Sequence, residues 1–145
     1  MDIVSVIHSA WGWCGLVPVR VVDENDFGNL LIEDALARYW RVCPEDLLCE
    51  LVAADAAALA ALRQDPQFDE DWRMQALVEM ACEALGPLAA GQKYCLKVPG
   101  TLGGEYGGDN LGKISLRELI AASGHIAQQI EGLPDGARVQ FRFVD

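Results

Sequence analysis

Residues 25–46 read NDFGNLLIEDALARYWRVCPED, and the way this stretch folds decides the rest. It reads as two short strands and a connection: Phe27 to Asp34, Tyr39 to Cys43, and Ala35 to Arg38 between them. Successive side chains of a strand point to opposite faces. Leu30 and Ile32 therefore share one face, with Phe27 and Leu31 on the other. On the second strand Trp40 and Val42 oppose Tyr39, Arg41 and Cys43. Bulky apolar residues on both faces predict a hairpin buried inside a sheet rather than an exposed flap. Pro44, with no N–H to donate, ends the pairing.

Outward from the hairpin the chain reads as alternating elements. Ile3, Val6 and Ile7 fit a short helix, followed by Trp11 and Trp13. Gly15 to Asp23 reads as a strand with Val17, Val19 and Val21 on one face, and Pro18 on the other suits an edge position or a strand start. Asp23-Glu24-Asn25-Asp26 turns into the hairpin, so these pieces predict an antiparallel meander. Glu45 to Leu48 fits one helical turn, and Cys49 to Ala53 a further strand. Asp55 caps a helix from Ala56 to Gln64. Asp65-Pro66 starts another, with Met74, Leu77, Val78, Ala81 and Leu85 as its apolar stripe and Gly86-Pro87 as its stop. Gln92 to Val98 alternates, with Tyr94, Leu96 and Val98 inward and Lys93, Cys95 and Lys97 outward. A loop from Pro99 to Lys113 holds six of the fourteen glycines. Ser115 and Glu118 form a capping box for a helix along Leu116, Leu119, Ile120, Ser123, Ala127 and Ile130. Leu133-Pro134-Asp135-Gly136 is a turn, and Ala137 to Val144 a last strand with Val139, Phe141 and Phe143 inward. The expected fold class is α+β in one domain spanning 1–145, a mainly antiparallel sheet with about three helices packed on it.

The 145 residues are 52% hydrophobic and carry a net charge of −11. Residues 23 to 83 hold 15 Asp/Glu against 4 Arg, so the whole imbalance lies there. An acidic surface repels nucleic acid and anionic membranes and attracts basic partners, although many acidic surfaces only aid solubility. No apolar run approaches the ~20 residues that span a bilayer. The start, Met1-Asp2-Ile3-Val4, has no basic segment of the kind that opens a signal peptide. Five cysteines without framework spacing suggest reduced, mostly buried thiols in a cytoplasm.

Chemistry-bearing patterns are sparse. The glycine loop lacks the Gly-Lys-Ser/Thr ending of a phosphate cradle, and Glu105 and Asp109 would repel phosphate. It reads instead as an ordered recognition loop, in which Glu105, Tyr106, Asp109 and Asn110 are candidate partner contacts. A Cys/His nucleophile would need Cys14 or Cys43 near His8 or His125, and nothing in the spacing signals it. No Cys-x-x-Cys or paired His suggests a metal site, and no cofactor is expected. Asp69-Glu70-Asp71 suits the positive end of a helix dipole without any cation. Glu33, Asp34, Asp69, Glu70 and Asp71 are the acids expected to be exposed for a partner. Trp72, set among charges, is the one tryptophan for which an exposed binding role is entertained.

Several motifs together resemble a known family: Trp11-Gly12-Trp13, Gly15-Leu16, Phe27-Gly28-Asn29-Leu30, Tyr39-Trp40-Arg41, Cys43-Pro44-Glu45, Leu102-Gly103-Gly104-Glu105-Tyr106 and Asn110-Leu111. From Trp11 to about Val144 the chain resembles the C-terminal domain of immunity proteins that protect against DNase effectors of type VI secretion systems. Longer members of that family carry an additional N-terminal domain ahead of this part. At the hairpin turn Ala37 stands where a glycine is expected. The resemblance implies a cytoplasmic, non-enzymatic protein that binds and neutralises a cognate secreted toxin, a nuclease with a basic surface. The alternative is an accessory or adaptor domain of a secretion locus that holds an effector without inhibiting it, and a small hydrolase ranks last.

Overall fold

The computed structural model describes residues 2–133. The expected last strand, with Phe141 and the 134–136 turn, lies outside them. The fold is α+β, with a four-stranded antiparallel sheet, a two-stranded sheet and five α-helices among the described residues.

The large sheet is a meander in the order β1 (Pro18–Glu24), β2 (Leu30–Asp34), β3 (Tyr39–Cys43), β4 (Leu48–Ala53). The hairpin of residues 25–46 supplies the two central strands, and β1 takes the edge expected from Pro18. Leu30 faces Val42 and Ile32 faces Trp40 across the β2–β3 ladder. The first strand of the hairpin is shorter than its apolar pattern suggested. Residues 25–29 form a turn instead, in which the Asn25 side chain accepts from the backbone N–H groups of Phe27 (3.0 Å) and Asn29 (2.9 Å). The β2–β3 turn is held by Asp34, whose carboxylate accepts from the N–H groups of Leu36 (2.9 Å) and Arg38 (2.8 Å). Ala37 completes it in the left-handed region at φ 59.

Period-2 alternation gives each sheet face its own core. On one face Leu30, Ile32 and Val42 pack with Ile7 and Trp11 of α1 (Ile3–Trp11) and with Ile120 and Ala127 of α5 (Leu116–Ile130). The two helices cross so closely that a Cβ on Gly124 would collide with the backbone of Ala10. On the other face Leu31, Tyr39 and Ala53 pack with Leu59 of α2 (Ala56–Gln64) and Trp72 of α3 (Pro66–Arg73). A third cluster joins Phe27 and Ala81 of α4 (Gln75–Leu85) to the second sheet, β5 (Gln92–Leu96) with β6 (Leu111–Ser115). Each fully buried large apolar side chain contributes about 1.5–3 kcal/mol.

Capping side chains start the helices where expected. Asp55, Asp65 and Ser115 accept from the N–H groups of Ala58, Gln67 and Glu118. Four local readings are corrected. The stretch from Pro66 to Leu85 is two helices, broken at Met74, which is left-handed at φ 47. The end of the glycine loop is a strand, β6, paired with β5. Lys93 is buried rather than outward, because Glu24 reaches over to its Nζ at 2.9 Å. Trp40 sits half-buried at the rim of the core, its indole N–H donating to Asp34 at 2.9 Å.

Candidate functional site

The acids named as partner contacts separate into paired and unpaired groups. Glu33 is half-buried and accepts from Arg20 Nε (3.1 Å) and the Tyr39 hydroxyl (3.0 Å), which hold its carboxyl below the usual range. Asp34, expected to be exposed, is buried. Burial alone would raise its carboxyl, but the N–H groups of Trp40, Arg38 and Leu36 outweigh it and hold Asp34 at about 2. Asp34 is thus a turn-forming anion rather than a surface contact.

On α3 the acidic triplet divides by helical position. Only Asp69 falls in the first turn, so the helix dipole accounts for that residue alone. Asp69 pairs with Arg73 at 3.1 Å. Asp71, with its side chain 71% exposed, accepts from Arg41 at 2.6 Å. Glu70 is exposed and makes no ion pair among the described residues. Trp72 is not an exposed anchor. It is buried to 9% exposure, stacks on Phe68, and lies under the Arg41 guanidinium.

Arg41 is the centre of a buried polar network. From its place on β3 it donates to the Asn29 side-chain oxygen through Nη2 (2.9 Å) and Nε (3.2 Å), and reaches α3 through the Asp71 contact. Asn29 in turn donates to both carboxylate oxygens of Glu45, at 2.8 and 3.1 Å. Burial is the main influence on Glu45 and pushes its carboxyl up to about 7. Its neighbour Asp46 receives the glycine loop. The Thr101 hydroxyl donates to the Asp46 carbonyl (2.5 Å), and the Tyr106 hydroxyl to the Asp46 carboxylate. Asp71 of α3 and the glycine loop are therefore tied to one chain of contacts, Asp71–Arg41–Asn29–Glu45, continuing through Asp46.

Within the loop the named residues again divide. Asn110 is a strut: its side chain accepts from Val98 N–H (2.8 Å) and donates to the carbonyls of Val98 (2.9 Å) and Glu105 (2.7 Å). Gly104 is required there, since a Cβ would collide with the Val98 carbonyl. Glu105 and Asp109 are exposed, and Tyr106 is 48% exposed even with its hydroxyl engaged.

The break at Met74 opens a cleft of about 750 Å³ between α3 and α4, lined by Gln67, Glu70, Asp71, Met74, Leu77 and Glu79. Its lining sets the half-buried Met74 and Leu77 beside the exposed acids Glu70, Asp71 and Glu79. Sequence reasoning missed Glu79 and the cleft, because a left-handed methionine has no local signature. Among the described residues no group of three His, Cys, Asp or Glu is arranged to hold a metal ion. No helix there is long and apolar enough to cross a membrane. Cys14 lies against the Trp11 carbonyl and Cys49, and His125 against Gln129.

Residues 53–127, from the end of β4 into α5, match the family described as T6SS immunity protein Tdi1, C-terminal. The matched span is just over half of the chain and holds the α3–α4 cleft and the glycine loop. The chain belongs to this family of type VI secretion immunity proteins. The family match starts after the hairpin motifs and takes in the Leu102–Leu111 motif of the resemblance. Neither curated proteins nor solved structures gave a match.

Proposed function

We propose that this protein acts in the cytoplasm by binding a cognate type VI nuclease toxin and blocking it, with no catalysis of its own. Membership of the immunity family supports the protective role. The observation that carries the binding mode is the acidic lining of the α3–α4 cleft, Glu70, Asp71 and Glu79 beside Met74 and Leu77. A nuclease presents cationic side chains to the phosphate backbone, so a basic loop of the toxin is complementary to these acids. Apolar contacts with Met74 and Leu77 add affinity, while the charges steer the encounter.

The test uses a purified type VI DNase effector as the probe and plasmid DNA as its substrate. Titrating the immunity protein should stop cleavage near one equivalent. A complex that co-elutes on gel filtration yet cleaves at the full rate would overturn blocking and leave an adaptor. Absence of any complex with the effector whose toxicity the protein relieves in cells would overturn binding.

A further inference from the structure

We propose that Cys14 and Cys49 form a peroxide-sensitive disulfide that fastens the end of α1 to the edge strand β4. Cys14 closes the 3-10 turn Gly12–Cys14 that follows α1, and Cys49 lies on β4. The two are 35 positions apart in sequence, yet their sulfurs are 3.1 Å apart. A disulfide bond measures about 2.05 Å, so the sulfurs need to close by roughly 1 Å. Both side chains are half-buried at the rim of the α1–α5 core, where a small oxidant can reach them.

The pair is chemically asymmetric. In the neutral pair the Cys14 thiol donates to Cys49 Sγ; once Cys14 ionises the Cys49 thiol donates back, and this brings Cys14 down to about 7 despite its partial burial. Cys14 is the attacking sulfur in the proposed step. The same contact, followed by burial, pushes Cys49 up. The other thiols stand apart. Burial pushes Cys43 up to about 12 and raises Cys95, and Cys82 sits exposed on α4.

The Cys14 thiolate attacks one oxygen of hydrogen peroxide. The O–O bond breaks, Cys14 becomes a sulfenic acid, and the departing hydroxide takes up a proton as water. Cys14 is now neutral, and the negative charge that held the Cys49 proton is gone. Cys49 gives up its proton and attacks the Cys14 sulfur, the S–O bond breaks, and a second water leaves. Two thiols and one peroxide become one disulfide and two waters. The product is a covalent tie across a 35-residue span, which restricts the unfolded chain.

The experiment treats the whole purified chain with hydrogen peroxide, blocks remaining thiols with iodoacetamide, and maps peptides without reduction. The expected result is a Cys14–Cys49 peptide and a fall in free thiols from five to three, reversed by dithiothreitol. The oxidised form should melt roughly 5 °C or more above the reduced one. Cys14→Ser and Cys49→Ser should each lose the cross-link, while Cys82→Ser keeps it. Thiol loss with no Cys14–Cys49 peptide, or oxidation confined to intermolecular dimers through Cys82, overturns the proposal. The wild-type map decides this even if a variant fails to fold.

Discussion

The guanidinium carbon of Arg41 lies 5.2 Å from the centroid of the Trp72 ring. A cation on the central sheet thereby holds α3, the helix carrying the acidic triplet. The same guanidinium carbon lies 5.6 Å from the Phe68 ring, and the residue is only 7% exposed. Cation–π contacts are worth about 0.5–2 kcal/mol and are strongest when desolvated, as here.

Truncating Arg41 should therefore cost more than breaking its visible ion pair. Arg41→Ala removes both ring contacts and strips the buried Asn29 oxygen of its donors, so the expected loss is about 2–4 kcal/mol. Asp71→Asn removes only the exposed end of the network and should cost under about 1 kcal/mol. Urea unfolding followed by tryptophan fluorescence measures both. Equal costs for the two variants would mean that the ion pair, not the buried half of the network, holds α3.

Glu45 gives the stability a pH dependence of unusual sign. Its carboxyl is raised by burial from 4.5 to about 7 in the folded protein. Below pH 4.5 both states hold the proton and the stability is fully present. Between 4.5 and about 7 only the unfolded chain releases it, so stability falls as pH rises, by on the order of 2–3 kcal/mol. Asp34 behaves oppositely in a separate window, since its stabilisation is lost as pH falls from 3.8 to about 2. Glu45→Gln should remove the upper slope, leaving the variant more stable than wild type at pH 8. Parallel stability curves for the two proteins from pH 4.5 to 8 would sink this reading.

How much was legible depended on the range of the interaction. The bounds of β3 and the caps Asp55, Asp65 and Ser115 were readable because period-2 alternation and side-chain capping act over a few residues. The burial of Lys93 was not, because Glu24 lies 69 positions away. Nor was the sorting of the site acids: Asp71 finds Arg41 across 30 positions, and Asp34 is enclosed by its own turn only once the sheet forms. The burial of Trp72 is equally illegible, since the ring is covered by Phe68 of its own helix and by Arg41, 31 positions earlier in the chain. The glycine loop reads as loop throughout in the sequence because Gly112 and Lys113 mask a strand that needs β5 as its template.

Ala37 at φ 59 occupies a conformation that an alanine adopts only with strain. Ala37→Gly should stabilise the protein by about 0.5–1 kcal/mol, relief of that strain outweighing the greater freedom glycine has when unfolded. Gly28→Ala should do the reverse. Gly28 lies at φ 71, and its added Cβ would meet Leu119 Cδ2 at 2.5 Å. Melting curves of the two variants should shift in opposite directions, and a destabilised Ala37→Gly would mean the turn does not hold this conformation in solution.

The acidic cleft supplies the last prediction. Reversing all of Asp69, Glu70 and Asp71 would confuse two effects, because Asp69 pairs with Arg73 and Asp71 with Arg41. Glu70 and Glu79 line the cleft, are exposed, and make no ion pair among the described residues, so they can be reversed with little effect on the fold. Surface changes of this kind usually alter stability by within about 0.5 kcal/mol. If a basic toxin docks here, Glu70→Lys with Glu79→Lys should slow association about tenfold or more at low salt and flatten its dependence on ionic strength. A matched pair in the glycine loop, Glu105→Lys with Asp109→Lys, tests the other exposed acids. Stopped-flow association against salt concentration separates the outcomes. A wild-type rate that ignores salt would exclude electrostatic capture. A salt-dependent rate that only the loop pair flattens would move the docking surface to Glu105 and Asp109, beside the half-exposed Tyr106.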